Sequence, residues 1–140
     1  VNPDETRPAG PRPYDLPALI EDLPMLELTP NVDQEKAWNA IKVLGYCNDA
    51  MLGLVRFAGK TGWERHPAGD EMLHILEGKT NITLLTEDGP VRFAARAGEV
   101  VVIPQGLWHA QVTEPDVTLM FATPGEGSEH STKPDPRLPD

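Results

Sequence analysis

Two stretches decide the reading. The first is Gly62-Trp63-Glu64-Arg65-His66-Pro67-Ala68-Gly69-Asp70-Glu71, which continues through Met72-Leu73-His74-Ile75-Leu76-Glu77 to Gly78. The second is Gly98-Glu99-Val100-Val101-Val102-Ile103-Pro104-Gln105-Gly106-Leu107-Trp108-His109. Glu64 and His66 are two residues apart, so on a strand their side chains point to one face. Pro67 to Asp70 makes a turn, after which Glu71 opens a strand expected to run back beside the first. His109 follows the Pro104-Gln105-Gly106 turn that ends a valine-rich run, so it too stands at a strand start. Imidazole and carboxylate groups brought together from neighbouring strands are donors that a divalent transition ion accepts.

Outward from these segments the pattern is strand after strand. Short apolar or β-branched runs occupy residues 40–47, 51–57, 71–77, 81–86, 91–95, 99–103, 109–112 and 117–122, each followed by a Gly, Pro, Asn or Asp signal. Glu87-Asp88-Gly89-Pro90 reads as a hairpin turn, because Asp-Gly supplies the positive φ that such turns need. About eight strands with almost no helical periodicity predict an all-β sandwich or barrel. Residues 1–25 form an N-terminal arm, extended or disordered up to about Pro13, with one or two helical turns at 16–23 that pack as a cap. The barrel is expected over 26–124, and 125–140 reads as a flexible tail.

Composition narrows the partners. Twelve basic against twenty-two acidic residues give a net charge of −10, with Lys and Arg scattered singly. Such a chain does not neutralise a phosphate backbone, so neither nucleic acid nor an anionic membrane is expected as a partner. The single cysteine, Cys47, excludes an internal disulfide and a cysteine-rich zinc site, and its flanks suggest a buried strand position. No run has the length of a transmembrane helix, and the proline-rich N-terminal residues lack a signal-peptide core. The cytoplasm is the expected location.

Together the two stretches resemble the paired signature motifs of the cupin superfamily. In the first motif a His-x-His pair is followed by a Glu after four residues and by a Gly after six more; His66, Glu71 and Gly78 fill the second-His, Glu and Gly places. In the second, Gly98, Pro104, Gly106 and His109 keep the motif spacing. Two positions depart from it: Glu64 stands in the first-His place, and Thr113 stands where the family has Asn. The resemblance covers about residues 59–113. It implies a double-stranded β-helix, the jelly-roll barrel of cupins, and a homodimer joined through outer strands or exchanged N-terminal segments. It also implies one divalent ion (Fe, Mn, Ni or Zn) held by His66, Glu71 and His109. Glu64, which shares a strand face with His66 and fills the first-His place, is expected as a fourth ligand, the alternative being a Glu64 turned to solvent or paired with an Arg. Cupins include oxygenases, isomerases, lyases, sensors and storage proteins, so the fold alone does not choose the reaction.

The first expectation is a metal-dependent enzyme acting on a small organic molecule, with dioxygenase-type oxidation ahead of isomerase or lyase chemistry. The alternative is a non-catalytic module that senses a small ligand or a metal. No DNA-binding or anti-sigma segment accompanies the barrel in this sequence, which favours the enzyme. Gln111 and Thr113 share parity with His109 and are candidates to line the pocket. Arg56 interrupts an apolar run; facing inward it would grip a substrate carboxylate, although an outward position is expected. His74 has the opposite parity from Glu71 and should face away, while His130 should be solvated in the tail unless the tail folds over the barrel mouth and brings it near. Trp63 and Trp108 should pack behind the site. Two carboxylates at Glu64 and Glu71 would cancel the charge of a divalent ion, so the expected substrate is neutral or weakly anionic. A site of this kind binds about one ion per chain. Chelation with EDTA should then lower the thermal midpoint, because an ion bound only by the folded state adds about 2.7 kcal/mol at a hundredfold excess over its Kd. Identical melting curves with EDTA and with added Mn(II), Fe(II), Zn(II) or Ni(II) would count against any metal site.

Overall fold

From Glu71 onward burial alternates residue by residue: Glu71, Leu73 and Ile75 are buried, while Met72, His74 and Leu76 are partly exposed. That period of two marks a strand with one face in a core, and it recurs throughout the computed structural model, which describes residues 11–139. The elements in chain order are α1 (Leu16–Glu21), β1 (Met25–Leu28), α2 (Gln34–Asn39), β2 (Lys42–Cys47), β3 (Ala50–Lys60), β4 (Trp63–Arg65), β5 (Glu71–Thr86), β6 (Gly89–Arg96), β7 (Val100–Ile103), β8 (His109–Pro124) and β9 (Glu129–Ser131). The architecture is an all-β jelly roll. Among the described residues no helix is long and apolar enough to cross a membrane. The extended stretch expected at the N-terminus lies outside the described residues up to residue 10.

Several elements differ from the sequence reading. The runs 71–77 and 81–86 are one strand of 16 residues, β5, and 109–112 and 117–122 merge likewise into β8. The two long strands pair with each other at both ends, from Met72 opposite Ala122 to Leu84 opposite His109. Register shifts fall between Ile75 and Glu77 and between Gly78 and Thr80, where the pair bends. Composition places the bend but does not break the strand, because Gly78 supplies φ +79° while the ladder continues. The short strands β1 and β9 and the helix α2 carry too few alternating residues to stand out in the sequence, and the strand expected to hold both Glu64 and His66 ends at Arg65. Within 125–140, read from composition as a tail, β9 forms by pairing with β4.

The strand opened by Glu71 does not run back beside the one holding Glu64, as the turn suggested. It pairs with β6, β7 and β8, while β4 pairs with β8 and β9. Cys47 is exposed rather than buried, since it ends β2 at the turn into β3.

The core lies between the faces of β3, β5 and β8, where Phe57, Leu73, Ile75, Ile82, Val117 and Leu119 are each 4% exposed or less. Burying a side chain of this size contributes about 1.5–3 kcal/mol. A second cluster of Leu23, Leu44 and Leu54 receives Leu16, Leu19 and Ile20 from α1. That helix starts where the sequence places it, with Asp15 accepting from the Ala18 amide at 3.2 Å and a proline in the first turn. Arg56 then ties the arm down. Its guanidinium donates to the carbonyl oxygens of Leu23 (2.9 Å) and Ile20 (2.8 Å), and pairs with Glu77 at 3.1 Å.

Gly78 shows why the bend needs glycine. A Cβ added there would lie 2.1 Å from the Asp116 carbonyl oxygen, in addition to the positive φ. Gly89, at φ +110°, has nothing within 4 Å of an added Cβ. Gly78→Ala should therefore cost at least about 2 kcal/mol, and Gly89→Ala about 1 kcal/mol from backbone strain alone. Urea midpoints compare them, and equal losses would show that the close approach is not decisive.

Candidate metal centre

Three strand ends and two turns build the site. His109 begins β8, directly opposite Glu64 of β4 in the ladder. Glu71 begins β5 two residues beyond the Gly69 turn, and its carboxylate accepts a hydrogen bond from the Thr123 hydroxyl at the far end of β8. His66 follows β4. The turns that precede Glu71 and His109 are tied to each other: the Gln105 amide donates to Asp70 Oδ1 at 2.8 Å, and the Gln105 side chain donates to the Pro67 carbonyl at 2.6 Å. The Gly106 amide donates to the His66 carbonyl at 3.1 Å. Residues far apart in sequence are thus held by backbone, not by flexible side chains alone.

The four groups named from sequence come together. One ligating atom each of Glu64, His66 and His109 lie within 4.8 Å of one another. Glu71 joins them, with its carboxylate oxygens 3.2 Å from His66 Nε2 and 3.3 Å from His109 Nε2. Both imidazoles are buried, at 5% and 1% exposure, yet neither Nε2 has a hydrogen-bond partner. Each faces a Glu71 oxygen without the angles of a hydrogen bond. Buried polar nitrogens are almost always satisfied, so two orphaned lone-pair atoms aimed at one point are unusual in a purely structural cluster. They fit a divalent ion, for which neutral imidazole and carboxylate are ordinary ligands.

The other ring nitrogens support this fit. His109 Nδ1 lies 3.1 Å from the Leu107 carbonyl oxygen, which can only accept. The proton of neutral His109 therefore sits on Nδ1, and the Nε2 lone pair is free. His66 Nδ1 is 2.8 Å from the Ser128 hydroxyl. Burial works against ionised Glu71, but the facing imidazoles of His109 and His66 outweigh it and hold the carboxyl below the usual range. Burial likewise opposes charged His109, and Glu71 with Glu64 outweighs it, raising that imidazole.

Glu64, His66 and Glu71 open onto a cavity of about 570 Å³. Its walls are mainly apolar, with Trp38 on α2, Ile41 just after it, Phe57 on β3, Leu73 on β5 and Phe121 on β8. Among the described residues, no Lys or Arg lines it. Gln111 lines it as parity suggests, and its Oε1 accepts from the Thr80 hydroxyl at 3.0 Å. Thr113 does not line the cavity: it stands at the end of the regular register that begins at His109, just before the β8 irregularity, where its hydroxyl sits 2.8 Å from the Gly59 amide and donates to the Pro115 carbonyl at 2.6 Å. Arg56 does not line it either, since its guanidinium is occupied by the arm. Trp63 lines the cavity instead of packing behind it, whereas Trp108 packs away from it under the Arg65 guanidinium, 4.8 Å from the ring centroid. His130 is not free in solvent: its Nε2 lies 3.2 Å from Glu64 Oε2. Thr123 could have been found by its parity with Phe121. His130 is near the site as the alternative of a tail folded over the barrel mouth has it, while Ser128, just before β9, carries no sequence signal because β9 pairs with β4 only in the folded chain.

The model of the cupin domain matches residues 53–122. No curated protein matches the chain. Among solved structures, a cupin-2 domain containing protein from Shewanella frigidimarina is 24% identical with a TM-score of 0.52, covering 69% of this chain and 96% of that one. Hydroquinone 1,2-dioxygenase from Sphingomonas sp. TTNP3, with 4-hydroxybenzoate bound, is 19% identical with a TM-score of 0.52, covering 61% and 65%. Oxalate oxidase in complex with glycolate is 23% identical with a TM-score of 0.52, covering 59% and 46%. The chain therefore spans less than two thirds of either enzyme's length, and at these identities the likeness shows the shared fold. With the family model matching residues 53–122, half of the chain, and a barrel that gathers His66, Glu71 and His109, the chain belongs to the cupin family.

Proposed function

We propose that this cupin is a divalent-metal-dependent enzyme acting on a small, neutral or weakly anionic, largely apolar organic molecule, with oxygen-dependent oxidation as the first reaction class and isomerisation or lyase chemistry next. The observation that carries the proposal is the pair of buried Nε2 atoms of His66 and His109, neither satisfied by a hydrogen bond and both facing Glu71, in a cluster that opens through Glu64, His66 and Glu71 onto a mainly apolar cavity of about 570 Å³. In this reading His66, His109, Glu71 and Glu64 hold the ion, which when bound supplies a Lewis acid or, as Fe(II), a centre for dioxygen. The cavity has the volume and the mainly apolar walls of a site for a small ligand. With Oε1 taken by Thr80, Gln111 offers its amide N–H to the substrate, and Trp63 and Trp38 offer ring faces.

The lack of Lys and Arg along the cavity supports a substrate without a strongly anionic group. A small dicarboxylate would meet an ion whose charge Glu64 and Glu71 already balance, and no lysine or arginine along the wall. This sets the proposed substrate apart from that of the oxalate oxidase relative and closer in kind to an aromatic or aliphatic molecule. A homodimer belongs to the same proposal, supported by Val100 and Val102, which stand 58% and 57% exposed on β7.

His66→Ala and His109→Ala should each lose most of the bound metal while leaving the barrel folded, since the core rests on apolar burial. His74→Ala should retain it, and Glu64→Gln should bind more weakly than wild type. Metal content of the purified variants reads the result, and metal lost from His74→Ala but kept by His109→Ala would overturn the ligand assignment. The reaction class is tested by oxygen-electrode screening of the Fe(II)-loaded protein against uncharged phenols and carbonyl compounds, beside an oxalate control. Oxygen uptake with an uncharged compound and none with oxalate is expected. Saturable ligand binding with no turnover under any metal would identify a binding module instead of an enzyme.

A further inference from the structure

β9 brings three consecutive residues of the C-terminal segment onto the candidate centre. It pairs antiparallel with β4, placing His130 opposite Glu64 and Glu129 opposite Arg65. Ser128 Oγ lies 2.8 Å from His66 Nδ1, and His130 Nε2 lies 3.2 Å from Glu64 Oε2. Glu129 pairs with Arg65, whose guanidinium covers the Trp108 ring next to His109. These residues lie beyond the region matched by the family model, which ends at residue 122.

The chemistry assigns them work. An imidazole binds an ion through Nε2 only when the proton is on Nδ1, and the partner at Nδ1 sets both the tautomer and the ring plane. For His109 that partner is the Leu107 carbonyl, part of the barrel itself. His66 has Ser128 as its partner at Nδ1, so its orientation depends on the C-terminal segment. Glu64 is the most exposed of the four groups, with 29% of its side chain open to solvent. His130 holds one of its oxygens, while the other stands 3.9 Å from His109 Nε2. Without that hold the carboxylate is free to rotate into water.

We propose that the C-terminal strand is a strap whose Ser128 and His130 are positioning residues of the metal centre: Ser128 orients His66 and His130 orients Glu64. This rests on the reading of the cluster as a metal site. The test uses full-length protein, Zn(II) titrated calorimetrically, and Co(II) followed by its visible absorption. Ser128→Ala and His130→Ala should each weaken Zn(II) roughly 10- to 100-fold and alter the Co(II) spectrum. Ser128→Thr, which keeps the hydroxyl, and His130→Gln, which keeps an N–H donor toward Glu64, should recover most of the affinity. The metal-free thermal midpoints should stay near wild type, because the strap adds little apolar burial. Alanine variants that bind Zn(II) within twofold of wild type, with an unchanged Co(II) spectrum, would overturn the strap. So would losses that Ser128→Thr fails to recover, which would mark a merely structural role. His130→Gln binding as weakly as His130→Ala would overturn positioning by showing that His130 is itself a ligand. The control is His109→Ala: if it loses Zn(II) while the strap variants keep it, only the strap fails. If it binds Zn(II) like wild type, the metal-site reading fails as well.

Discussion

A carboxylate and two imidazoles share a dry corner of this barrel, and neither imidazole Nε2 is satisfied by a hydrogen bond. Burying such groups without full pairing is costly, because each loses its hydration and regains only part of it from neighbours. The surrounding structure is arranged to sustain that cost. Glu71 takes a hydrogen bond from Thr123, His109 is fixed by a carbonyl, and the two turns carrying the ligands are stitched together through Gln105. Preorganisation of this kind suits a group that must be ready before an ion arrives.

The barrel makes this possible through its two long strands. β5 and β8 run side by side over most of their length, so the start of β8 reaches one side of the site and its end reaches the other. His109 and Thr123, fourteen positions apart on one strand, therefore both serve Glu71. The bend at Gly78 allows the pair to curve round without breaking the ladder, and no residue with a Cβ fits so close to Asp116.

Around that centre the molecule is uneven in charge. The chain carries a net charge of −10, yet the cavity wall is mostly apolar and has no lysine or arginine among the described residues. The cations near the site are used elsewhere: Arg56 holds the N-terminal arm through two carbonyls, and Arg65 is engaged by Glu129 and Trp108. Selectivity in such a pocket comes from shape and from a few hydrogen-bonding groups, Gln111 among them, more than from ion pairing.

The chain by itself determined the strand pattern, the two motifs and the four groups gathered at the centre. Those features are local: alternation has a period of two, turns need particular residues, and the spacing of His66, Glu71 and His109 follows from short strands joined by short turns. Parity also placed Gln111 and His74 correctly, because it survives wherever a strand is regular. It also holds at Thr113, which is buried and in regular register with Thr80, but it does not put that residue on the cavity, since its hydroxyl is taken up by Gly59 and Pro115. Strand partnership was not legible either. Glu71's strand lies beside β7 and β8 instead of β4, and the segment at 129–131 becomes a strand only because β4 offers an open edge. Local sequence specifies which residues can be a strand and which face each presents. Hydrogen bonding between distant segments decides which strands meet, and that decision brought Ser128 and His130 to the centre.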